Sequence, residues 1–187
     1  MNVLLINPNH NNSKNNFPWG VLSVGSYLKQ QNKNVKILDL SNYPDDHLGK
    51  LEEDTAWADI VGIGVFSSDV PSVKNIVDSI KINHPSKPII CGGPHTVLEP
   101  KITCEYKNID FVSYGEGERS FDLLVDEFNK ENSDFSNVPG IMYHNGEKVV
   151  KNIPSTHVEA YDIDYELLDD NVIKTFGSYI QVLTSRG

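Results

Sequence analysis

Five short apolar runs constrain this chain most: residues 3–6, 35–38, 60–66, 89–91 and 111–112, rich in β-branched residues and not alternating with polar ones. A run that stays apolar at successive positions is a strand buried on both faces, the habit of parallel sheets covered by helices. Helical periods fill the gaps. Val21, Val24 and Leu28 share one face, as do Val73, Ile76, Val77 and Ile80, and as do Phe121, Leu124, Val125 and Phe128. Pro18 and Pro71 suit first helical turns, whereas residues 45–57 predict a weaker helix resting on Leu48 and Leu51. The runs end near Asn7, Asp39, Phe66, Cys91 and Tyr114, roughly 25 to 30 residues apart, the size of a βα unit with a right-handed crossover. The pattern predicts an α/β fold, a doubly wound, flavodoxin-like, five-stranded parallel sheet over residues 1–132.

The pattern changes after Lys130. Residues 133–139 read as a linker, followed by a hairpin around Asn145-Gly146, a pair suited to a type I′ turn, appended to the sheet domain. Residues 153–176 are acidic and poorly periodic, a connector in which Tyr161, Tyr165, Leu167 and Leu168 are spaced to touch a surface rather than build a core. Residues 179–183 then read as a buried strand running into Thr184-Ser185-Arg186-Gly187, where the chain stops with nothing to pair that strand. The expected organisation is an α/β domain at 1–132, hairpin and linker at 133–178, and the first strand of a further domain at 179–187.

At 187 residues with 39% hydrophobic side chains, the chain can bury one substantial core. A net charge of −10 argues against nucleic acid as its ligand, since that affinity rests on clustered Lys and Arg. The apolar run at 3–6 gives way at once to an Asn-rich stretch, too short for a signal peptide, and no run reaches membrane-spanning length. The expectation is a cytoplasmic protein that binds neither membrane nor nucleic acid. Cys91 and Cys104 form neither a Cys-x-x-Cys pair nor a set with His at metal spacing, so they read as free core thiols.

Open parallel sheets bind ligands outside the carboxyl ends of their strands. There the sequence places Ser67 and Ser68 after strand three, Gly92-Gly93-Pro94-His95 after strand four, and Gly115-Glu116-Gly117-Glu118 after strand five. Glycines let a ligand approach the backbone, and Pro94 suits the start of a helix whose free amides point outward. Each loop alone is also ordinary turn chemistry; their convergence at one end of one sheet points to a bound ligand. A phosphate-cradling Gly-x-x-x-x-Gly-Lys-Ser/Thr loop is absent after strand one, and Gly115-Glu116-Gly117 fails the dinucleotide fingerprint because Ser120 stands at its third glycine. The tips of strands one, three and five, Asn7, Phe66 and Tyr114, lack the acids and lysine of a response-regulator receiver, and residues 7–13 make a poor flavin-phosphate loop.

The order Leu5-Ile6-Asn7-Pro8, then Pro18-Trp19-Gly20-Val21-Leu22-Ser23-Val24-Gly25-Ser26-Tyr27-Leu28, then Gly92-Gly93-Pro94-His95, then the stretch from Asp110 to Glu118, resembles the N-terminal cobalamin-binding domain of class B radical S-adenosylmethionine enzymes, over essentially the whole chain. In that family a connector like Tyr165-Glu166-Leu167-Leu168-Asp169 precedes a strand ending like residues 184–187, with the cluster-binding cysteines next. The resemblance implies cobalamin over the carboxyl ends of the strands. Asn7, Pro8, Trp19, Ser67, Ser68, Gly92, Gly93, Pro94, His95, Gly115, Glu116 and Gly117 would be its neighbours, with no catalytic or metal-ligating residue in this segment. It also implies a parent with an iron–sulfur cluster and S-adenosylmethionine in a radical barrel, commonly a methyltransferase. The alternative is the same fold with an empty site, serving substrate recognition or bracing. The Asp-x-His-x-x-Gly motif of better-known cobalamin carriers is absent; Asp45-Asp46-His47-Leu48-Gly49-Lys50 misses its glycine and lies after strand two, and His10 reads as a solvated loop histidine. His95 reads equally as a corrin contact or a helix cap, and Trp19 equally as a cover for the ring edge or as helix packing. A bulky residue at Gly92 or Gly93 is expected to abolish cobalamin binding and spare the fold.

Overall fold

The computed structural model describes residues 1–8, 17–43, 45–159 and 161–176. Seven strands form one sheet in the order β2-β1-β3-β4-β5-β6-β7, with β1 Asn2–Asn7, β2 Asn34–Asp39, β3 Ile60–Gly64, β4 Ile89–Gly92, β5 Phe111–Ser113, β6 Ile141–Asn145 and β7 Lys148–Lys151. The first five are parallel in the expected flavodoxin-like order, with the order reversing between β1 and β3.

Alternate residues of each strand face opposite ways, which splits the core in two. Val3, Leu5, Ile60, Ile90 and Phe111 pack against α1 (Trp19–Gln30) and α6 (Gly117–Phe128) through Val21, Leu28, Phe121, Leu124 and Val125. Leu4, Ile6, Val61, Ile63 and Cys91 pack on the other face against α2 (His47–Trp57), α3 (Val70–Asn83) and α5 (Pro100–Cys104), through residues such as Leu51, Val77, Ile80 and Cys104. Both cysteines are free and buried, and burial pushes the Cys91 thiol up to about 12, so it packs as a small apolar group. The weaker helix expected at 45–57 is α2; His47, exposed at its start, belongs to a helix end rather than to the strand-one loop.

The hairpin is part of the sheet, not an appendage. β6 pairs antiparallel with β5 (Phe111 with Tyr143, Ser113 with Ile141), and Ile141, Met142 and Tyr143 are buried. Without it the short β5 would be an open edge on a parallel sheet, an arrangement proteins avoid. The sheet therefore has seven strands, five parallel and two antiparallel, where the apolar runs predict five. The turn also sits one residue further on than expected. Asn145 pairs with Lys148, leaving Gly146 and Glu147 as the central pair. Gly146 has φ 62°, whereas Glu147 is not among the positive-φ residues, so glycine at the first central position makes the turn.

The connector builds a small third core. Leu168, just before α7 (Asp170–Phe176), and Val172 within it are 5% and 1% exposed and pack with Leu22, Phe17, Trp19 and Leu167 on the outer side of α1. Polar contacts fasten it: the Asp164 amide donates to Ser26 Oγ at 2.9 Å, Lys29 meets Asp164 at 2.5 Å, and the Tyr43 hydroxyl donates to Asp169 at 2.8 Å. Burial, followed by that hydrogen bond, pushes the Tyr43 phenol up to about 12. A connector expected only to touch a surface thus buries side chains. His10 and the strand expected at residues 179–183 lie outside the described residues.

Candidate functional site

Strand register creates a cavity of about 310 Å³ between the sheet and the pair α1 and α6. On the face towards these helices, Gly62 of β3 stands beside Ile90, and Gly64 beside Gly92. Because Ile90 pairs with Phe111 and Cys91 with Val112, Gly92 stands beside Ser113. Moving towards the carboxyl edge, the large residues Leu5, Ile90 and Phe111 give way to a row of small ones, Gly64, Gly92 and Ser113. The helices cannot follow that step, so a slot opens. Trp19, Ser23 and Val24 of α1 form one wall, and Gly115, Glu116, Glu118 and Phe121 the other. An apolar cavity of roughly 150 Å³ already admits benzene, so this one has room for a larger group.

Two observations show that the slot is built for something other than the chain's own packing. A Cβ placed on Gly92 would meet only the Ser113 Cβ, at 3.5 Å, and one on Gly64 would find ordinary contacts at 3.4 Å and beyond. Neighbouring side chains therefore do not require these two glycines. The Ser113 hydroxyl is buried at the same place with no hydrogen-bond partner among the described residues. A buried hydroxyl left unsatisfied costs about 1–3 kcal/mol, so such a group asks for a partner. Gly62, by contrast, is needed by the fold, since its Cβ would lie 2.5 Å from Phe121 Cε1.

Gly93 is held by its backbone. The Val65 amide donates to the Gly92 carbonyl at 2.7 Å and the Val65 carbonyl accepts from the His95 amide at 3.1 Å, bending Gly93 to φ 115°, ψ −173°. Thr96, fully buried, places its hydroxyl 2.8 Å from the Gly93 carbonyl and 2.6 Å from that of Ser113, fixing this loop to β5. Helix α4 (Pro94–Leu98) has five residues, and its His95 amide is spent on Val65. The outward-pointing free amides expected after Pro94 are therefore not found at His95.

The sequence-derived residues divide by position. Trp19, Gly92, Gly93, Gly115, Glu116 and Gly117 line the cavity together. Trp19 also packs at 4.7 Å from the Phe17 ring and 6.3 Å from Tyr165, so the side chain that lines the cavity is held by aromatic packing. Ser67 and His95 bond each other, Oγ to Nδ1 at 3.0 Å, and His95 lines a smaller cavity of about 190 Å³ with Val65, Val73 and Tyr106, which belongs to the other face of the sheet. Ser68 donates to Asp69 at 3.0 Å, and Asn7, buried, donates to Asp39 at 3.2 Å, stitching the ends of β1 and β2. Pro8 is buried beside Asn7. None of Asn7, Pro8, Ser67, Ser68, Pro94 and His95 lines the large cavity. The sequence reading missed Gly62, Gly64, Ser113 and Ser23. Alternating glycines inside β3 were the available signal, because glycine within a strand marks a close approach.

A flavodoxin-ordered sheet with a glycine-floored slot over its carboxyl edge defines a cofactor-carrying α/β domain. The chain belongs to the B12-binding domain family, whose model matches residues 14–125. It is 28% identical to an uncharacterized methyltransferase of Pyrococcus horikoshii, over 91% of this chain and 38% of that protein. It is 27% identical to the cytidylyl-2-hydroxyethylphosphonate methyltransferase of Streptomyces wedmorensis, over 71% of this chain and 29% of the relative. The chain thus spans well under half the length of these relatives. The radical S-adenosylmethionine methyltransferase TsrM of Kitasatospora setae, solved with cobalamin and a 4Fe–4S cluster, superimposes with a TM-score of 0.74 at 23% identity, covering 86% of this chain and 30% of TsrM. The cobalamin-dependent S-adenosylmethionine radical enzyme OxsB, solved with aqua-cobalamin and S-adenosylmethionine, gives a TM-score of 0.73 at 22% identity, covering 83% of this chain and 22% of OxsB. At these identities the structural likeness establishes the fold.

Proposed function

We propose that this chain is the cobalamin-carrying part of a radical S-adenosylmethionine methyltransferase, acting with a barrel that supplies an iron–sulfur cluster and S-adenosylmethionine. The observation that carries the reading is the slot: among the described residues, open space over Gly92 beside a buried Ser113 hydroxyl with no partner. That combination suits a flat, largely apolar ring system bearing a hydrogen-bonding atom, as in the nucleotide tail of cobalamin. Gly64, Gly92 and Ser113 would floor the tail, Trp19 and Val24 would flank it, and Gly93, Gly115, Glu116 and Gly117 would form the rim under the corrin. Ser67, Ser68, Pro94 and His95 would sit behind that rim, and Asn7 and Pro8 would stiffen the neighbouring strand ends.

Cobalamin, when bound, supplies the methyl carrier; the protein supplies position and water exclusion. Residues 1–132 would provide the site, residues 133–178 would close the sheet edge and brace α1, and residues 179–187 would lead towards the barrel. The segment alone is expected not to catalyse, and as a cytoplasmic enzyme part it needs no membrane or nucleic-acid partner. Among the described residues, no helix is long and apolar enough to cross a membrane.

Titration of the purified chain with hydroxocobalamin tests the reading. One equivalent retained through gel filtration, with a shifted visible spectrum, is the expected result; a folded protein that keeps no colour, alone and in its full-length parent, favours the bracing module. Ser113→Ala sharpens the test. It removes an unsatisfied hydroxyl, so the ligand-free protein is expected to be as stable as wild type or up to about 1 kcal/mol more so, while cobalamin binds roughly five- to tenfold more weakly. A drop in apo stability with unchanged affinity, read by thermal melts and titration, would show that Ser113 serves the fold instead.

A further inference from the structure

The connector reaches the rim of the slot. Tyr161 places its hydroxyl 2.6 Å from Glu118 Oε1 and 2.6 Å from Ser23 Oγ, and Ser23 itself donates to Glu118 Oε1 at 2.9 Å. Ser23 lies on α1 and Glu118 on α6, and both line the cavity. Glu118 is only 3% exposed, so these hydrogen bonds act with little competition from water. Two residues earlier, Glu116 meets His157 of the same connector at 3.3 Å. A Cβ on Gly115 would lie 3.9 Å from the Ser155 amide nitrogen. Ser155, His157 and Tyr161 therefore lie along the glycine-rich β5–α6 loop and the start of α6. The connector continues onto α1 through Asp164 and Ser26.

We propose that this connector braces the ligand slot from behind its lining and that Tyr161 is its positioning residue, setting the separation of α1 and α6 by holding Ser23 and Glu118 to one another. The proposal rests on the cofactor reading above only for the identity of the ligand. Its physical basis is that a slot between two helices has a width, and Ser23 and Glu118 span that width directly. A second hydroxyl on the same carboxylate oxygen, anchored through a segment that is itself packed on α1, keeps the span from opening. Because the connector also carries the chain onward, occupancy of the slot and placement of the connector become linked, and linkage acts equally in both directions.

The test compares Tyr161→Phe with Tyr161→Ala and wild type by hydrogen exchange and by hydroxocobalamin titration. Phenylalanine keeps the ring that packs edge-on against Tyr27 at 5.3 Å and removes only the hydroxyl. Expected in ligand-free Tyr161→Phe is exchange about tenfold faster at amides of residues 115–121 and 155–164, with affinity for hydroxocobalamin weakened about tenfold. Ser23→Ala, which removes the same pin from the α1 side, is expected to loosen the same amides. Phenylalanine behaving as wild type while alanine alone loosens the loop would overturn the proposal, since ring packing would then be the whole role. Unchanged affinity in Tyr161→Phe, where wild type binds, would also overturn it. If wild type retains no hydroxocobalamin yet the exchange difference persists, the brace stands and the cofactor assignment is what falls.

Discussion

Gly92→Leu is expected to weaken hydroxocobalamin binding by about a hundredfold or more, roughly 2.7 kcal/mol, with the melting temperature within a few degrees of wild type. The reason is the emptiness above Gly92. Among the described residues a Cβ there meets only Ser113 Cβ at an ordinary 3.5 Å, so the first carbon of a new side chain fits, and the remaining atoms extend into the cavity. The occupant alone is excluded. Spectral titration and thermal melts on one preparation separate the outcomes: a folded variant that binds normally would move the ligand out of this slot, and with it the central part of the functional assignment.

The adjacent glycine is expected to behave in the opposite way. Gly93→Ala should destabilise the apo protein by about 2–4 kcal/mol, read as a lower urea midpoint at an unchanged slope. At φ 115°, ψ −173° only glycine is comfortable, and an added Cβ would lie 3.0 Å from both the nitrogen and the oxygen of Val65. Those are backbone atoms paired to Gly92 and His95, so they cannot rotate aside. Loss of binding in this variant would follow from displacement of the β4–α4 loop rather than from blocking the slot. The sequence expectation treats the two glycines as equivalent; the structure separates a glycine required by backbone geometry from one whose side is open. Equal stability of Gly93→Ala and Gly92→Leu would contradict that distinction.

Much of the fold was legible because its causes are local. A strand buried on both faces must be apolar at successive residues, and a helix over such a strand must repeat at three and four, so residues 60–64 and 70–83 declare themselves without reference to each other. Right-handed crossovers then leave few orders for the strands, and the flavodoxin-like order is among them. The hairpin's place was less legible. Its sequence predicts two paired strands, but whether they stand apart or complete the sheet depends on β5 having a free edge, which no local signal reports. The turn shifted by one residue for a related reason: pairing of Asn145 with Lys148 decides the register, and register overrides the preference of the Asn-Gly dipeptide for the central positions.

The site was legible by loop and not by side chain. Gly92, Gly93, Gly115, Glu116 and Gly117 line the slot because loops after parallel strands gather at one end of a sheet whatever their details. His95 and Ser67 come from the same end yet bond each other, with His95 in the smaller cavity of the opposite face. The sequence by itself determined the number and direction of the βα units, the end of the sheet where the slot opens, and the family resemblance those loops carry. Only the tertiary structure decided which face holds the slot, that Gly64, Gly92 and Ser113 stand in one row, and that Tyr161 reaches Glu118 across 43 residues of chain. The physical reason is that side-chain direction alternates along a strand while alignment between strands is set by pairing over long sequence distances. A cavity belongs to that alignment, and no single segment encodes it.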